Sequence, residues 1–321
     1  MELKQKAEMA LSLRNRYASA YQAGDIAEGK KLEHEYLTLR LEVLNEVNTE
    51  IKRQRSIPVR LIKQEVANMP KRPKRETGIR SLDYALVTER QAMLNHRGGF
   101  SLGNYIQIAG SRGAGKSSLM LKIMTSLSNH ERVSWFDFEM GKKRVTEKLE
   151  DFEHNEDNLL YYNSSRDLDD VVSEIKLLNA SGVNHFVIDS TMKLNIKGVS
   201  DRYERYSLIS QNLSELTSTL GINIYIINQI SQSSERDGVL AIKHGNDAEY
   251  DADYIIYILK MKLVENGKVK KDEFGMDLFN EDMRIIKCTK NREDDRLFTI
   301  ELNKSEIFGI EPEVYEYEET A

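Results

Sequence analysis

The sequence predicts an α/β fold: a mostly parallel sheet with crossover helices, preceded by a small N-terminal helical hairpin. Three observations lead there. From about residue 105 to 230, short apolar runs alternate with helical stretches, the pattern of strands joined by crossover helices. One strand-to-helix junction carries the glycine-rich string Gly110-Ser111-Arg112-Gly113-Ala114-Gly115-Lys116-Ser117. The first 56 residues contain no proline and only two glycines, Gly24 and Gly29, with apolar residues at helical spacing.

Leu3, Ala7, Ala10, Leu13, Tyr17 and Ala20 form the stripe of a first helix. Gly24 breaks it, and Asp25 with Glu28 resembles a capping box that opens a second. Leu32, Tyr36, Leu39, Val43, Val47 and Ile51 form the second stripe. Residues 1–57 therefore read as a hairpin. Its apolar faces either pack on the chain's own domain or meet another subunit or a partner protein.

Residues 58–75 read as a basic linker. Pro58 and Pro70 bracket a short helical candidate, Val59–Met69, and Lys71-Arg72-Pro73-Lys74-Arg75 follows. Between Lys52 and Arg75 lie nine Lys/Arg and one acid, Glu65, so this stretch is either a solvated linker or a face for nucleic acid. The second domain is expected over 76–321. Its strands are predicted at Tyr105–Ala109, Val133–Phe138, Leu159–Tyr162, His185–Asp189, Asn223–Asn228, Ala252–Leu259, Met283–Thr289 and Leu297–Leu302. Helices are expected near 115–128, 141–154, 167–181 and 203–220. The last strands have no long helix between them and predict an antiparallel extension.

With 321 residues, the chain suits one large or two ordinary domains. Apolar runs such as Ile255–Leu259 are too short to span a bilayer, and the N-terminus is charged from Glu2, without a visible signal peptide. A single cysteine, Cys288, excludes an intrachain disulfide, and the six histidines lack metal-ligand spacing. These features predict a reducing, cytoplasmic setting. Net charge is −6, with an acidic tail from Glu311.

The glycine-rich string fits G-x-x-x-x-G-K-[ST], the phosphate-binding P-loop. Glycines let consecutive backbone N–H groups turn inward around a phosphate. Lys116 would reach the β- and γ-phosphates, and the Ser117 hydroxyl would face Mg²⁺. The helix starting at Ser117-Ser118 adds the positive end of its dipole. The expected nucleotide set is Gly110, Ser111, Arg112, Gly113, Ala114, Gly115, Lys116, Ser117 and Ser118.

His185-Phe186-Val187-Ile188-Asp189 is an apolar strand ending in an acid, which predicts that Asp189 supports the Mg²⁺ with Ser117. Ser190 follows it rather than a second acid, so the carboxylate that orients the attacking water must come from elsewhere. Glu139, ending Trp135-Phe136-Asp137-Phe138-Glu139, is the candidate, because carboxyl ends of parallel strands open into one crevice. Gln229 ends another apolar strand and could sense the γ-phosphate.

Together these motifs look like the RecA-like P-loop core. More closely, residues 76–310 resemble the ATPase domain of hexameric replicative DNA helicases of the DnaB type, in a short format similar to phage or mobile-element versions. Thr77-Gly78-Ile79-Arg80-Ser81-Leu82-Asp83 is similar to that family's T-G-x-x-x-L-D. Gly98-Gly99-Phe100 with Gly103 resembles G-G-L-x-x-G, Phe138-Glu139-Met140 L-E-M, and Gln229-Ile230-Ser231 Q-L-S. Glu249-Tyr250-Asp251-Ala252-Asp253 resembles E-x-D-A-D, and Lys290-Asn291-Arg292 resembles K-x-R.

The resemblance implies ATP and Mg²⁺ as ligands, with Glu139, Lys116, Gln229, Arg292 and Lys290 in catalysis. Lys290 and Arg292 would enter the neighbouring subunit's ATP site. It implies a ring-shaped homo-oligomer moving 5′→3′ on single-stranded DNA, with a primase or loader protein as partner of the N-terminal helices. Two segments would carry DNA contacts: 195–206, with Lys197, Arg202 and Arg205, and 231–250, with Arg236 and Lys243. Two departures stand out. Glu293-Asp294-Asp295-Arg296 follows K-x-R where the family has a Gly/Pro-containing turn, and the N-terminal part is much shorter. Two alternatives remain: a RecA-type recombination ATPase that forms filaments on DNA, and a helicase-loading or scaffold ATPase, against which Ser190 speaks.

Overall fold

A computed structural model describes residues 2–53, 59–60, 63, 74–87, 98–230, 240–242, 248–293 and 295–308. The predicted linker, including most of the helical candidate 59–69, and the acidic tail lie outside them.

Helices α1 (Leu3–Gln22) and α2 (Ile26–Arg53) form the expected hairpin. The Asp25 carboxylate accepts the Glu28 N–H at 3.1 Å, as the capping-box reading required. After α3 (Arg80–Ala85) the sheet begins with β1 (Tyr105–Gly110), followed by α4 (Lys116–Ser128) and β2 (Val133–Asp137). Then come α5 (Lys142–Leu149), β3 (Leu159–Tyr162), α6 (Leu168–Ala180), β4 (His185–Asp189), α7 (Arg202–Leu220) and β5 (Asn223–Gln229). The chain closes with α8 (Ala248–Asp251), β6 (Tyr254–Lys262), β7 (Val264–Glu265), β8 (Lys268–Val269), β9 (Phe279–Asn291), β10 (Phe298–Asn303) and α9 (Lys304–Phe308).

Eight strands form one sheet in the order β10-β9-β6-β1-β5-β4-β2-β3. The six from β6 to β3 run parallel, and β9 and β10 add an antiparallel edge. Period-2 side-chain alternation divides two cores across the sheet. On β4, Phe186 and Ile188 face one core with Leu213 of α7 and Ile175 of α6, whereas Val187 faces the other with Leu119 and Ile123 of α4. The result is a helix–sheet–helix sandwich.

The hairpin adds a further layer outside α6. Ala7, Ala10, Leu13, Val43 and Val47 are buried in the same core as α6. Arg14 pairs with the buried Glu174, and Lys176 Nζ donates to Asn48 Oδ1 at 2.7 Å. Of the two faces open to the hairpin, packing on its own chain accounts for these residues.

Three elements differ from expectation. The helix expected over 141–154 ends at Leu149, where the chain turns so that Phe152 enters the core. β9 is longer than predicted because it pairs with β6 as far as Lys262. The hairpin β7–β8 is an addition to the expected strands. Its turn, Asn266-Gly267, has φ 51° and 74°, the left-handed pair that a tight hairpin requires, so the Asn-Gly signal was present in the sequence.

Candidate nucleotide site

The P-loop lies between β1 and α4, at the carboxyl ends of the parallel strands. Two glycines are required sterically. A Cβ on Gly110 would meet the Ile258 carbonyl oxygen of β6 at 2.3 Å. Gly115 has φ +103°, a left-handed conformation that lets the loop's N–H groups converge. Lys116 Nζ donates to the carbonyls of Gly110 and Ser111 at 3.0 and 2.8 Å.

A cleft of about 380 Å³ opens above the loop, lined by residues 112–118 together with Glu139, Asp189, Ser190 and Gln229. Strand register brings these side chains together. Gly110 is paired with Gln229 across β1–β5, and Asp137 with Asp189 across β2–β4. Ser117 Oγ donates to Asp189 Oδ2 at 2.7 Å. Burial pushes the Asp189 carboxyl up to about 7, against the Ser117 hydrogen bond, and nearby Glu139 and Asp137 push the same way. A hydroxyl and a buried carboxylate with this strained charge suit a hard, oxygen-seeking dication, so Ser117 and Asp189 fit the predicted Mg²⁺ site.

Glu139 is solvent-exposed, just beyond β2, on a tightly tied loop. A second cleft, also about 380 Å³, shares Glu139, Ser190 and Gln229 with the first. Lys193, Arg202 and Arg205 line its far side. The structure thus places two predicted DNA residues beside the nucleotide site. Lys197 is exposed on the connecting loop, away from the lining of that cleft. Arg236 and Lys243 fall outside the described residues.

Lys290 and Arg292 are elsewhere. They follow β9 to its end, where Tyr254 pairs with Asn291 and Ile106 pairs with Tyr254. That end lies at the start of β1, whereas the P-loop lies at its finish. Five residues of strand separate the two ends, roughly 17 Å at 3.3 Å per residue. Lys290 Nζ donates to the Glu249 and Tyr250 carbonyls at 2.5 and 3.0 Å. Arg292 donates to the Tyr250 carbonyl and lies 3.6 Å from Asp253. The unusual acidic turn after them closes without glycine: Asp295 takes φ 56°, and its N–H donates to the Asn291 carbonyl at 3.1 Å.

Two lining residues were missed from sequence. Lys148 Nζ donates to Ser118 Oγ at 3.2 Å, and nothing in the sequence marked it. Buried Arg284 donates from Nε to the Ala114 carbonyl at 3.0 Å and from Nη1 to the carbonyls of Asn280, Glu281 and Met283. It braces the P-loop from β9. A signal existed, since Arg284 is in phase with the buried Ile286 and Cys288, placing a charge on an apolar face.

No family model matches the chain. DNA repair protein RadA of Streptococcus pyogenes serotype M6 is 25% identical over 46% of this chain and 32% of its own length. Replicative DNA helicase DnaB of Helicobacter pylori is 26% identical over 60% of this chain and 50% of its own. The chain therefore spans about a third to a half of these curated relatives. Among solved structures, an ATPase domain solved on its own superposes with TM-score 0.57 at 19% identity, covering 78% of this chain and 95% of that one. A DnaB-like replicative helicase, solved in a study of its interactions with primase, gives 0.59 at 17% identity, over 93% and 73%. The KaiC-like protein PH0186 of Pyrococcus horikoshii gives 0.51 at 15%, over 71% and 93%. The fold is the RecA-like one expected from the motifs.

Proposed function

We propose that this chain is an ATP-driven motor of the DnaB type, which assembles as a ring, tracks single-stranded DNA and unwinds duplex. The observation that carries this reading is the division of the site. One end of the sheet holds phosphate-binding loop, metal ligands and acid, while the matching cations sit at the far end of the same sheet. A nucleotide bound at a junction between copies would receive both.

In this reading the P-loop N–H groups and Lys116 hold the β- and γ-phosphates. Mg²⁺ at Ser117 and Asp189 would neutralise charge on those oxygens. Glu139 orients the attacking water and takes its proton. Gln229 contacts the γ-phosphate with its amide. Arg292 and Lys290 of the neighbouring copy stabilise charge on the transferring group. Arg202 and Arg205, beside Glu139, hold DNA phosphates, with Lys197, Arg236 and Lys243 on the same channel-facing loops. The domain division proposed is the hairpin 1–57, the linker 58–75 and the motor 76–321. The N-terminal hairpins form a collar that would receive a primase or loader.

The test is unwinding of a forked duplex bearing either tail, with the mass of the oligomer measured alongside. Expected are a ring-sized assembly, DNA-stimulated ATP hydrolysis and unwinding that requires the 5′ tail. Full hydrolysis by a protomer kept monomeric by dilution would overturn the reading. RadA similarity favours a recombination ATPase as second reading, over a smaller share of the chain. Open filaments rather than closed rings in electron micrographs would select it.

A further inference from the structure

Asp137 is buried at 2% exposure, one strand position from the metal-ligand strand, yet takes no part in the mechanism above. Its two oxygens accept four hydrogen bonds. Oδ1 receives the N–H groups of Glu139 and Met140 at 3.1 and 2.8 Å. Oδ2 receives the N–H of Gly141 at 2.6 Å and the Tyr161 hydroxyl at 2.7 Å. Asn163 in turn donates to that hydroxyl at 3.1 Å. A carboxylate offers about four acceptor positions, so none remains for a metal or a water.

The three N–H donors are consecutive, and the first belongs to Glu139 itself. Phe138 is tied as well: its N–H donates to the Asp189 carbonyl at 2.6 Å, and its own carbonyl accepts from Arg166 at 3.3 Å. The backbone of the turn is thus held while the Glu139 side chain stays exposed to the cleft. Charge-assisted bonds to a buried carboxylate are the stronger kind, and several converging on one group fix a turn more firmly than neutral ones.

We infer that Asp137 is the positioning residue for Glu139: it fixes the turn that aims this acid at the attacking water, with Tyr161 as its support. The inference rests on Glu139 having that role. A displacement of about 1 Å at a reacting group can cost on the order of 10²-fold in rate, so the turn is a sensitive lever.

Asp137→Asn keeps size and removes charge. Whichever way the amide is turned, its NH₂ faces a donor on the turn. The expected result is a kcat for ATP lowered 10- to 100-fold, with affinity for a non-hydrolysable ATP analogue within twofold of the parent. Hydrogen exchange of the amides of residues 139–141, measured without nucleotide, should accelerate at least tenfold while α4 stays unchanged. Combining Asp137→Asn with Glu139→Gln should add little to the loss caused by Glu139→Gln alone. Tyr161→Phe, which removes one bond of four, should give a milder, roughly threefold fall with the same non-additivity, and it serves if Asp137→Asn does not fold. If Glu139→Gln leaves kcat unchanged, the role of Glu139 fails. If Glu139→Gln lowers kcat but Asp137→Asn and Tyr161→Phe do not, or if their losses multiply with it, the positioning role of Asp137 is overturned.

Discussion

The two ends of the central sheet are built on different plans. At the carboxyl ends of the parallel strands, acids and hydroxyls are buried and tied to one another, as Ser117 is to Asp189 and the Glu139 turn is to Asp137. At the opposite end, Lys290 and Arg292 rest on backbone carbonyls of residues 249 and 250, with Arg292 exposed. The first end is preorganised within one chain. The second presents charge outward from a rigid strand. A site with this split is complete only where one copy's upper end meets another's lower end.

The largest expected effect breaks that pairing directly. Arg292→Ala should leave ATP binding within twofold and lower hydrolysis by about 10³-fold, the scale of a lost guanidinium at a phosphoryl transition state. Mixing it with Glu139→Gln copies should restore some activity, since some junctions would then hold an intact acid and an intact cation. Absence of any rescue in mixed assemblies would argue that the two ends do not share a site. Glu139→Gln alone should lower kcat by roughly 10²- to 10³-fold with nucleotide still bound, read by single-turnover hydrolysis.

A smaller effect tests whether the upper end is braced by β9. Arg284→Met leaves the Ala114 carbonyl and three β9 carbonyls without that donor, and should cost about 3 kcal/mol in unfolding free energy. Chemical denaturation measures the loss, and nucleotide affinity should fall with it. The smallest effect concerns the lower end. Burial would raise the Glu131 carboxyl, but His185 and Arg75 outweigh it and hold the group at about 2. Because the folded value is depressed, its contribution to stability is present above the unfolded value near 4.5 and is lost as pH falls towards 2. Glu131→Gln should flatten denaturation curves across that window by on the order of 2 kcal/mol, with ATP turnover at neutral pH unaffected.

Much of this was legible in the sequence, for physical reasons. Alternating apolar strands with helices between them fixed β1 to β5 nearly to the residue, because burial on both sheet faces leaves few other places for such runs. The P-loop and Asp189 were legible because their chemistry demands particular residue types at fixed spacing. The position of Lys290 and Arg292 was not, since it depends on the register of β6 against β1 and of β9 against β6. Asp137 was passed over because its value comes from three main-chain N–H groups that converge only once Gly141 turns with φ +83°. Arg284 could have been flagged, as a charge in phase with Ile286 and Cys288, but its partner is a carbonyl 170 residues away in sequence.

The N-terminal helices are clamped to α6, whose far end leads through residues 181–184 into β4 and so to Asp189. They cannot swing as an independent arm. In a ring, each pair would be geared to its own engine: when one protomer tilts during its power stroke, its share of the rim tilts too. Any protein docked on that rim would feel the cycle as a travelling wobble rather than a still platform.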